Sequence, residues 1–330
     1  MSTELDYSFA AMGSEIRLLI GERLVAGAPP PLAAADRERE FVLEFGRRLS
    51  RFEPASDLSA LNHDPRPVVA APPLLRTAVR AGLWAAERSG GLVDPTLVRA
   101  LEVNGYAHSL RDARPASLRE ALAAAPVRRA AAPNPRSRWE DVTVDDARGT
   151  VARPPGVMFD TGGTGKGLCA DAVAVRLAAY SRFVVDCGGD IVVGGVGAQL
   201  RPYAVAIEHP LTGRSIGSIP VAGGGIATSG LNVRIWRRPD GGFAHHLLDP
   251  STGRPAWTGL VGATALAGSA LEAETLSKMA LLLGADDARR ILAPQGGLIV
   301  HDDGEVEPIG RVAAELSTNR PTAAPPLVLG

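Results

Sequence analysis

Residues 7–20 alternate apolar and polar positions well enough to predict a strand, with Met12-Gly13-Ser14 interrupting it as a bulge or bend. Past the prolines at 29–31 the period changes. Phe41, Val42, Phe45 and Leu49 recur at helical spacing and predict a helix over 35–50. Residues 51–64, RFEPASDLSALNHD, are polar, turn-rich and broken by Pro54, and read as a loop too long for a simple connection. A second amphipathic helix is expected over 74–89, carrying Leu75, Val79, Leu83 and Ala86 and ended by Gly90-Gly91. Residues 113–138 are rich in Ala, Arg and Pro, with a helix expected at 116–125 and a surface loop at 130–138. A short hairpin is expected at 141–151.

The second half is punctuated by glycine. The stretch 158–171, MFDTGGTGKGLCAD, reads as strand, glycine turn and helix, the helix running to about residue 180 with Leu168, Ala172, Val175 and Ala179 on one face. Residues 183–193 read as a strand broken at Gly188-Gly189, 203–207 and 218–221 as short strands, and 223–230 as a further glycine turn. Residues 245–255 read as a strand entering a turn. A strongly apolar helix over 269–283 is stopped by Gly284, and a short capped helix at 286–293 follows. A hairpin joins 298–300 to 306–309, and the Pro/Ala-rich stretch beyond Thr318 reads as a frayed tail. Short strands and helices mix without βαβα alternation, so the fold class expected is α+β and not a doubly wound parallel sheet.

Composition narrows the function classes. The chain is 45% hydrophobic with mean hydropathy +0.06, enough for a sizeable core, and its formal net charge is −1. That charge gives no reason to expect a nucleic-acid partner or a polybasic membrane binder. Aromatic residues make up 5%, which argues against base-stacking platforms. Cys169 and Cys187 form no CxxC pair and read as buried small hydrophobes. The N-terminus carries Glu4 and Asp6, lacks a signal-peptide pattern and offers no early lipoprotein cysteine. No apolar run approaches a membrane span, so a soluble cytoplasmic protein without membrane insertion is the default expectation.

The candidate chemistry gathers around the glycine turn. Strand, glycine turn and helix N-terminus bring backbone N–H groups to phosphate. Asp160, Lys166 and Asp171 bracket that turn. It is not a Walker A loop, because Gly167 follows Lys166 where Ser or Thr is needed, and its spacing is not a Rossmann fingerprint. Asp186 and Asp190 flank Gly188-Gly189, Thr228-Ser229 can donate hydroxyls, and His245, His246 and Asp249 can supply a base with an orienting carboxylate. Each also has a bland reading as a turn, a cap or a solvated charge, and Asp94 taken alone reads first as a helix or turn cap. Their order along the chain is more specific than any one of them.

That order resembles the ApbE family of FAD:protein FMN transferases over about residues 7–310. Met12-Gly13-Ser14 resembles the family's M-G-(T/S) segment, and Ser50–Asn62 its S-R-(F/Y)-x-P-x-S-(D/E)-(L/I)-x-x-(L/I)-N segment. GLVDPT at 91–96 resembles G-x-F-D-P-T with Val93 replacing the aromatic, and 160–171 resembles D-x-G-G-I-A-K-G-x-x-x-D. Residues 185–191 resemble V-x-x-G-G-(D/N)-I, Ala227–Gly230 the A-T-S-G segment, and 246–255 the H-(I/L)-(I/L)-D-P-x-T-G-x-P signature.

The resemblance implies one two-lobed α+β unit, residues 1–318, with flavin in the cleft between lobes and residues 319–330 as a disordered tail. It implies that FAD is split at its pyrophosphate, that FMN passes to a Ser or Thr of an acceptor flavoprotein, and that AMP leaves, normally with Mg²⁺. It assigns Met12, Asp94, Asp160 and Leu247 to holding FAD, places Lys166 and Thr228 near the nucleotide, and gives the Gly163 carbonyl to the metal. It makes His246 the base, with Asp249 orienting it. One segment departs from the pattern. The family's helix A-D-x-(L/Y)-(A/S)-T supplies an Asp and a Thr as metal ligands, and here those positions are Glu274 and Lys278.

Glu274 can still ligate a divalent ion, whereas an ammonium has donors only. Lys278 therefore either takes the metal's place beside the pyrophosphate, marks a site with weak metal binding or lost transfer, or snorkels to solvent. The alternatives to transferase are an FAD pyrophosphatase or flavin carrier, and a non-catalytic assembly module. A covalent flavin–peptide adduct, free AMP and FMN, or no bound flavin separates the three. Val261-Gly262-Ala263-Thr264 approaches the family's acceptor motif of a hydroxyl residue before Gly-Ala-(Ser/Thr), but Val261 has no nucleophile, so a separate acceptor is expected.

Overall fold

The first hydrophobic alternation folds back on itself. Strand β1 (Leu5–Ala11) and strand β2 (Ser14–Ile20) pair antiparallel, with Ala11 opposite Ser14. Met12 (φ 51°) and Gly13 (φ 72°) both occupy the left-handed region, as a two-residue type I′ turn requires. The same device recurs where one broken strand was expected: β3 (Phe183–Cys187) and β4 (Asp190–Gly194) form a hairpin across Gly188 (φ 65°) and Gly189 (φ 92°). Alternation continues through a reversal, so both turns read as interruptions of single strands. The computed structural model in which they are seen describes residues 4–110, 115–316 and 327–329.

With β5 (Gly224–Gly230), β6 (Leu260–Ala267), β7 (Gly297–His301) and β8 (Val306–Ile309), these strands build one eight-stranded sheet whose spatial order follows the chain. Every neighbouring pair is antiparallel. Helix α1 (Pro31–Leu49) and helix α2 (Pro73–Arg88) lie in the long insertion between β2 and β3; helix α3 (Gly165–Arg176) closes that insertion, and helix α4 (Ala270–Leu283) follows β6. The mixture confirms the α+β class.

The strands cover two faces in the manner their alternation dictates. In β3, Val185 and Cys187 join the core cluster that holds Cys169, Val173 and Leu177, whereas Val184 joins the cluster that holds Val205 and Ile219. Val205 and Ile219 belong to a hairpin of Tyr203–Glu208 and Ser215–Val221. Both cysteines are buried, as expected.

Two further expectations are corrected. Residues 57–63 of the expected loop form a helix, Asp57–His63, because the Ser56 hydroxyl accepts from Ser59 N at 2.9 Å and caps it. Residues 224–230 are an interior strand and not a turn. Gly225 is there for close approach: a Cβ would stand 2.1 Å from the Ser269 carbonyl oxygen and 2.5 Å from Ala270 N, at the start of α4. The expected tail lies outside the described residues, except that Leu327–Leu329 pair parallel with Tyr203–Glu208.

Replacing Gly225 by Ala must therefore push the start of α4 off the sheet. The expected cost is about 1–3 kcal/mol of unfolding free energy, read by urea denaturation with an unchanged slope.

Candidate functional site

The glycine turn is held in place by bonds from three separate elements. Asn62, on the helix missed in the sequence, donates Nδ2–H to the Phe159 carbonyl at 2.9 Å and accepts from Phe159 N at 2.7 Å. Asp160 N donates to the Pro95 carbonyl at 2.8 Å, and the Thr161 hydroxyl donates to the Leu49 carbonyl at 2.9 Å. Such bonds contribute about 1 kcal/mol each, and their main effect here is to fix the turn's position. Asp160 folds back onto Gly162 N at 2.6 Å and pairs with Arg51 at 3.0 Å. The Arg51 guanidinium lies over the rings of Phe52 and Tyr106, at 4.1 and 4.7 Å from their centroids.

Three adjoining cavities meet at this turn, and Gly162 and Arg234 line all of them. The first, about 140 Å³, is mostly apolar: Phe52, Leu92, Val93, Leu101, Leu247 and Leu282 line it, with Asp94, Gly163 and Lys278 on its wall. The second, about 470 Å³, is polar and lined by Lys166, Asp186, Asp190, Thr228, Glu274 and Lys278. The third, about 660 Å³, reaches Met12, Gly46, Tyr106 and Asp160. His246 stands on the wall shared by the first two.

Charge in the polar cavity is organised in pairs. Lys166 Nζ meets Asp190 at 2.8 Å and donates to the Gly188 carbonyl at 3.0 Å. Burial pulls the Lys166 ammonium down, but Asp190 and then Glu274 outweigh it and leave the group above the ordinary lysine value. Glu274 has no exposed surface; its carboxylate accepts from Gly167 N at 2.9 Å through one oxygen and from Lys278 Nζ at 2.8 Å through the other. Burial and the Asp190 charge push Glu274 up to about 7, against the pull of Lys278 and Lys166. Burial likewise lifts Asp186 to about 6, although it accepts from Gly189 N at 2.8 Å. Arg234 meets the Tyr106 hydroxyl, and no carboxylate pairs with it among the described residues.

The histidines separate into two roles. His246 is half-buried, and its Nδ1 lies 3.3 Å from the Arg234 carbonyl. A carbonyl only accepts, so Nδ1 carries the proton and Nε2 keeps its lone pair. Burial, with the Arg234 charge and His245 adding to it, holds His246 well below the usual histidine value, so the ring stays neutral. His245 is fully buried and edge-on to Trp257 at 4.7 Å between centroids, with neither nitrogen in good hydrogen-bond geometry among the described residues. Burial drops it to about 3.

Three sequence assignments change. Asp249 does not orient His246: its carboxylate is taken up by Ser251 N at 3.0 Å, Ser251 Oγ at 2.7 Å, Thr252 Oγ1 at 3.1 Å and Ala132 N at 3.2 Å, which shape the DPSTG turn. The Arg234 carbonyl does the orienting. Asp171 caps α4, accepting from Ala270 N at 2.8 Å and Leu271 N at 3.0 Å, and stays out of the cavities.

The metal assignment to Gly163 and Glu274 meets a donor set that does not fit Mg²⁺. Both Glu274 oxygens already face hydrogen-bond donors, the Lys278 ammonium stands beside one of them, and Lys166 holds Asp190. Among the described residues no group of three His, Cys, Asp or Glu converges.

The remaining candidates line the cavities as placed above. Thr228 shares a hydroxyl bond of 2.7 Å with Thr264, directly opposite on β6. Asp94 Oδ1 accepts from Thr96 N at 2.7 Å and Thr96 Oγ1 at 2.6 Å, and Asp94 Oδ2 accepts from Ser137 Oγ. Arg234 escaped the sequence reading, as one arginine in a bend before a short strand has no distinguishing local signal. Arg51 and Tyr106 escaped because their contacts join segments far apart in the chain.

An apolar slot, a polar compartment of paired charges and a further cavity thus meet at one glycine turn of an α+β protein. Comparison with known proteins gives the family. The ApbE family model matches residues 12–300, so the chain belongs to the ApbE family. The chain is 32% identical over 146 residues to the FAD:protein FMN transferase of Klebsiella pneumoniae (strain 342), covering 43% of this chain and 41% of that protein. It thus spans about two fifths of that relative's length. A second such transferase, from Treponema pallidum (strain Nichols), is 30% identical over 254 residues, covering 72% of this chain and 67% of its own. The fold matches the ApbE protein of Thermotoga maritima at a TM-score of 0.76 with 24% identity, covering 95% of this chain and 99% of that one. The flavin transferase ApbE of Vibrio cholerae matches at 0.74 with 21% identity, covering 96% of this chain and 100% of that one.

His245 generates a stability prediction. Its folded value near 3 lies below the unfolded value of 6.5, so the stability it permits is present above pH 6.5 and is lost as pH falls toward 3. At pH 5 that loss amounts to about 2 kcal/mol. His245→Leu is expected to match or exceed the parent at pH 7.5 and to lose about 2 kcal/mol less on going to pH 5, by urea denaturation at both pH values. Equal losses would contradict the assignment.

Proposed function

We propose that this protein is an FAD:protein FMN transferase. The observation that carries the reading is the meeting of an apolar slot and a polar cavity holding Lys166, Arg234 and Lys278 at the glycine turn, with the neutral His246 on their shared wall. Family membership supports the same reading. FAD has two ring systems joined by a pyrophosphate, and the chain offers separate compartments for rings and charge. Met12, Asp94, Asp160 and Leu247 line the ring-binding walls, and Lys166, Arg234, Lys278 and Thr228 surround the polar one.

In the reaction, a Ser or Thr hydroxyl of the acceptor attacks the phosphorus on the FMN side. Its proton passes to His246 Nε2, which the Nδ1–H bond to the Arg234 carbonyl leaves free to accept it. The P–O bond to AMP breaks and AMP leaves as the phosphate anion. Lys166 and Arg234 balance the charge that gathers on the phosphate oxygens. The acceptor is a separate flavoprotein carrying a hydroxyl residue before Gly-Ala-(Ser/Thr). The chain's own similar segment fails sterically as well as chemically, because Val261, Ala263 and Thr264 are fully buried in β6. No helix among the described residues is long and apolar enough to cross a membrane.

The test is incubation with FAD and a peptide bearing that motif, followed by mass spectrometry of the peptide and chromatography of AMP. One AMP per flavin adduct is expected. AMP and FMN without adduct would instead support a pyrophosphatase. His246→Ala is expected to lower the transfer rate about 10²–10⁴-fold while FAD binding changes little; an undiminished rate would remove His246 from the mechanism.

A further inference from the structure

The resemblance assigns a divalent ion to the space between the glycine turn and the Glu274 face of α4. That space already holds a cation. Lys278 Nζ lies 2.8 Å from Glu274 Oε1, and a Cβ built on Gly163 would stand 3.9 Å from Lys278 Cε, so the side chain bridges from α4 to the turn. The Lys278 side chain keeps 12% of its surface exposed, and its wall position borders both the apolar and the polar cavity. An ammonium has three N–H donors, of which Glu274 takes one. The carboxylate it neutralises is in turn fixed by Gly167 N, within the first turn of α3.

We infer that the Lys278 ammonium is a built-in replacement for the divalent cation, anchored by Glu274 and directed at the pyrophosphate of FAD together with Lys166 and Arg234. The inference rests on the transferase reading for the identity of the ligand. Three observations independent of that reading carry it. Both oxygens of the only acidic side chain on this face of α4 are engaged by donors. Of the cavity's other carboxylates, Asp190 is held by Lys166 and Asp186 accepts from Gly189 N. Arg234 adds a guanidinium that no carboxylate neutralises among the described residues. A divalent ion entering here would have to displace the ammonium and then find its oxygen ligands almost entirely from phosphate and water. Point cations that need no metal loading make FAD binding insensitive to chelators, and they leave no step for a metal to control.

Equilibrium titration of metal-stripped protein with FAD, followed by flavin fluorescence in EDTA and then in excess Mg²⁺, tests this directly. The expected dissociation constants differ by less than about threefold between the two conditions. Lys278→Gln, which keeps a donor for Glu274 but loses the charge, is expected to weaken FAD binding roughly 100-fold in EDTA, with Lys278→Arg recovering most of it. Should Lys278→Gln fail to fold, the Glu274→Gln/Lys278→Met double variant removes the pair together at similar volume, and about tenfold weakening is expected.

Tightening of FAD binding by about tenfold or more on adding Mg²⁺ to the parent protein would overturn the inference. So would parent-like FAD binding by a folded variant that lacks the ammonium. The same samples, given the acceptor peptide, keep the two readings apart. Transfer that proceeds in EDTA supports both. Transfer that appears only with Mg²⁺ overturns this inference and leaves the transferase reading standing. Chelator-insensitive FAD binding with no transfer in either condition removes the transferase reading and leaves Lys278 as the replacement cation.

Discussion

One buried carboxylate ties the two halves of the site together. Glu274 sits on α4 without solvent contact, and its two oxygens reach Gly167 N of the glycine turn's helix and the ammonium of Lys278. Taking a carboxylate out of water costs several kcal/mol, and it is tolerated only with good geometry and full hydrogen bonding. Gly167 and Lys278 supply that geometry. Removing the Lys278 ammonium would leave the buried carboxylate without its counter-charge, at a cost of about 3–5 kcal/mol. An electrostatic contact thus joins α3 to α4 beside the polar cavity. Gly225 lets α4 start close against the sheet, and Asp171 caps that start from α3. Both bring Glu274 to the turn.

The same pairing logic shapes reactivity. Lys166 and Lys278 each spend one interaction on a carboxylate, while among the described residues Arg234 meets the Tyr106 hydroxyl and ring and no carboxylate. Arg234 also holds His246 Nδ1 through its backbone carbonyl, so in the proposed reaction one residue supplies both a cation for phosphate and the tautomer of the base. That residue directly precedes the short strand Ile235–Arg237.

Much of this was legible in the sequence because the chemistry resides in local signatures. The glycine turn, the helix bearing Glu274 and Lys278, and the HLLDPSTG segment were each recognisable, and the helical periods gave α1, α2 and α4 within a few residues. What failed did so for identifiable reasons. Met12-Gly13 and Gly188-Gly189 reverse the chain without breaking its alternation, so hairpins looked like kinked strands. The run at 224–230 looked like a turn because glycine serves close approach as well as reversal. Asp249 looked like an orienting acid because it is near His246 in sequence, but the turn's own hydroxyls and N–H groups occupy it. Long-range partners such as Arg51 with Asp160 and Asn62 with Phe159 leave no local trace.

Side-chain cations, in place of a bound metal, are proposed to neutralise the pyrophosphate of FAD. Phosphorus NMR of FAD on the protein, with sub-stoichiometric Mn²⁺ added as a paramagnetic probe, tests this most directly. Two ³¹P resonances are expected, displaced from those of free FAD and as narrow with Mn²⁺ as with EDTA. Selective broadening of the bound resonances by Mn²⁺ would put a metal ion against the phosphates and rule out the ammonium in its place.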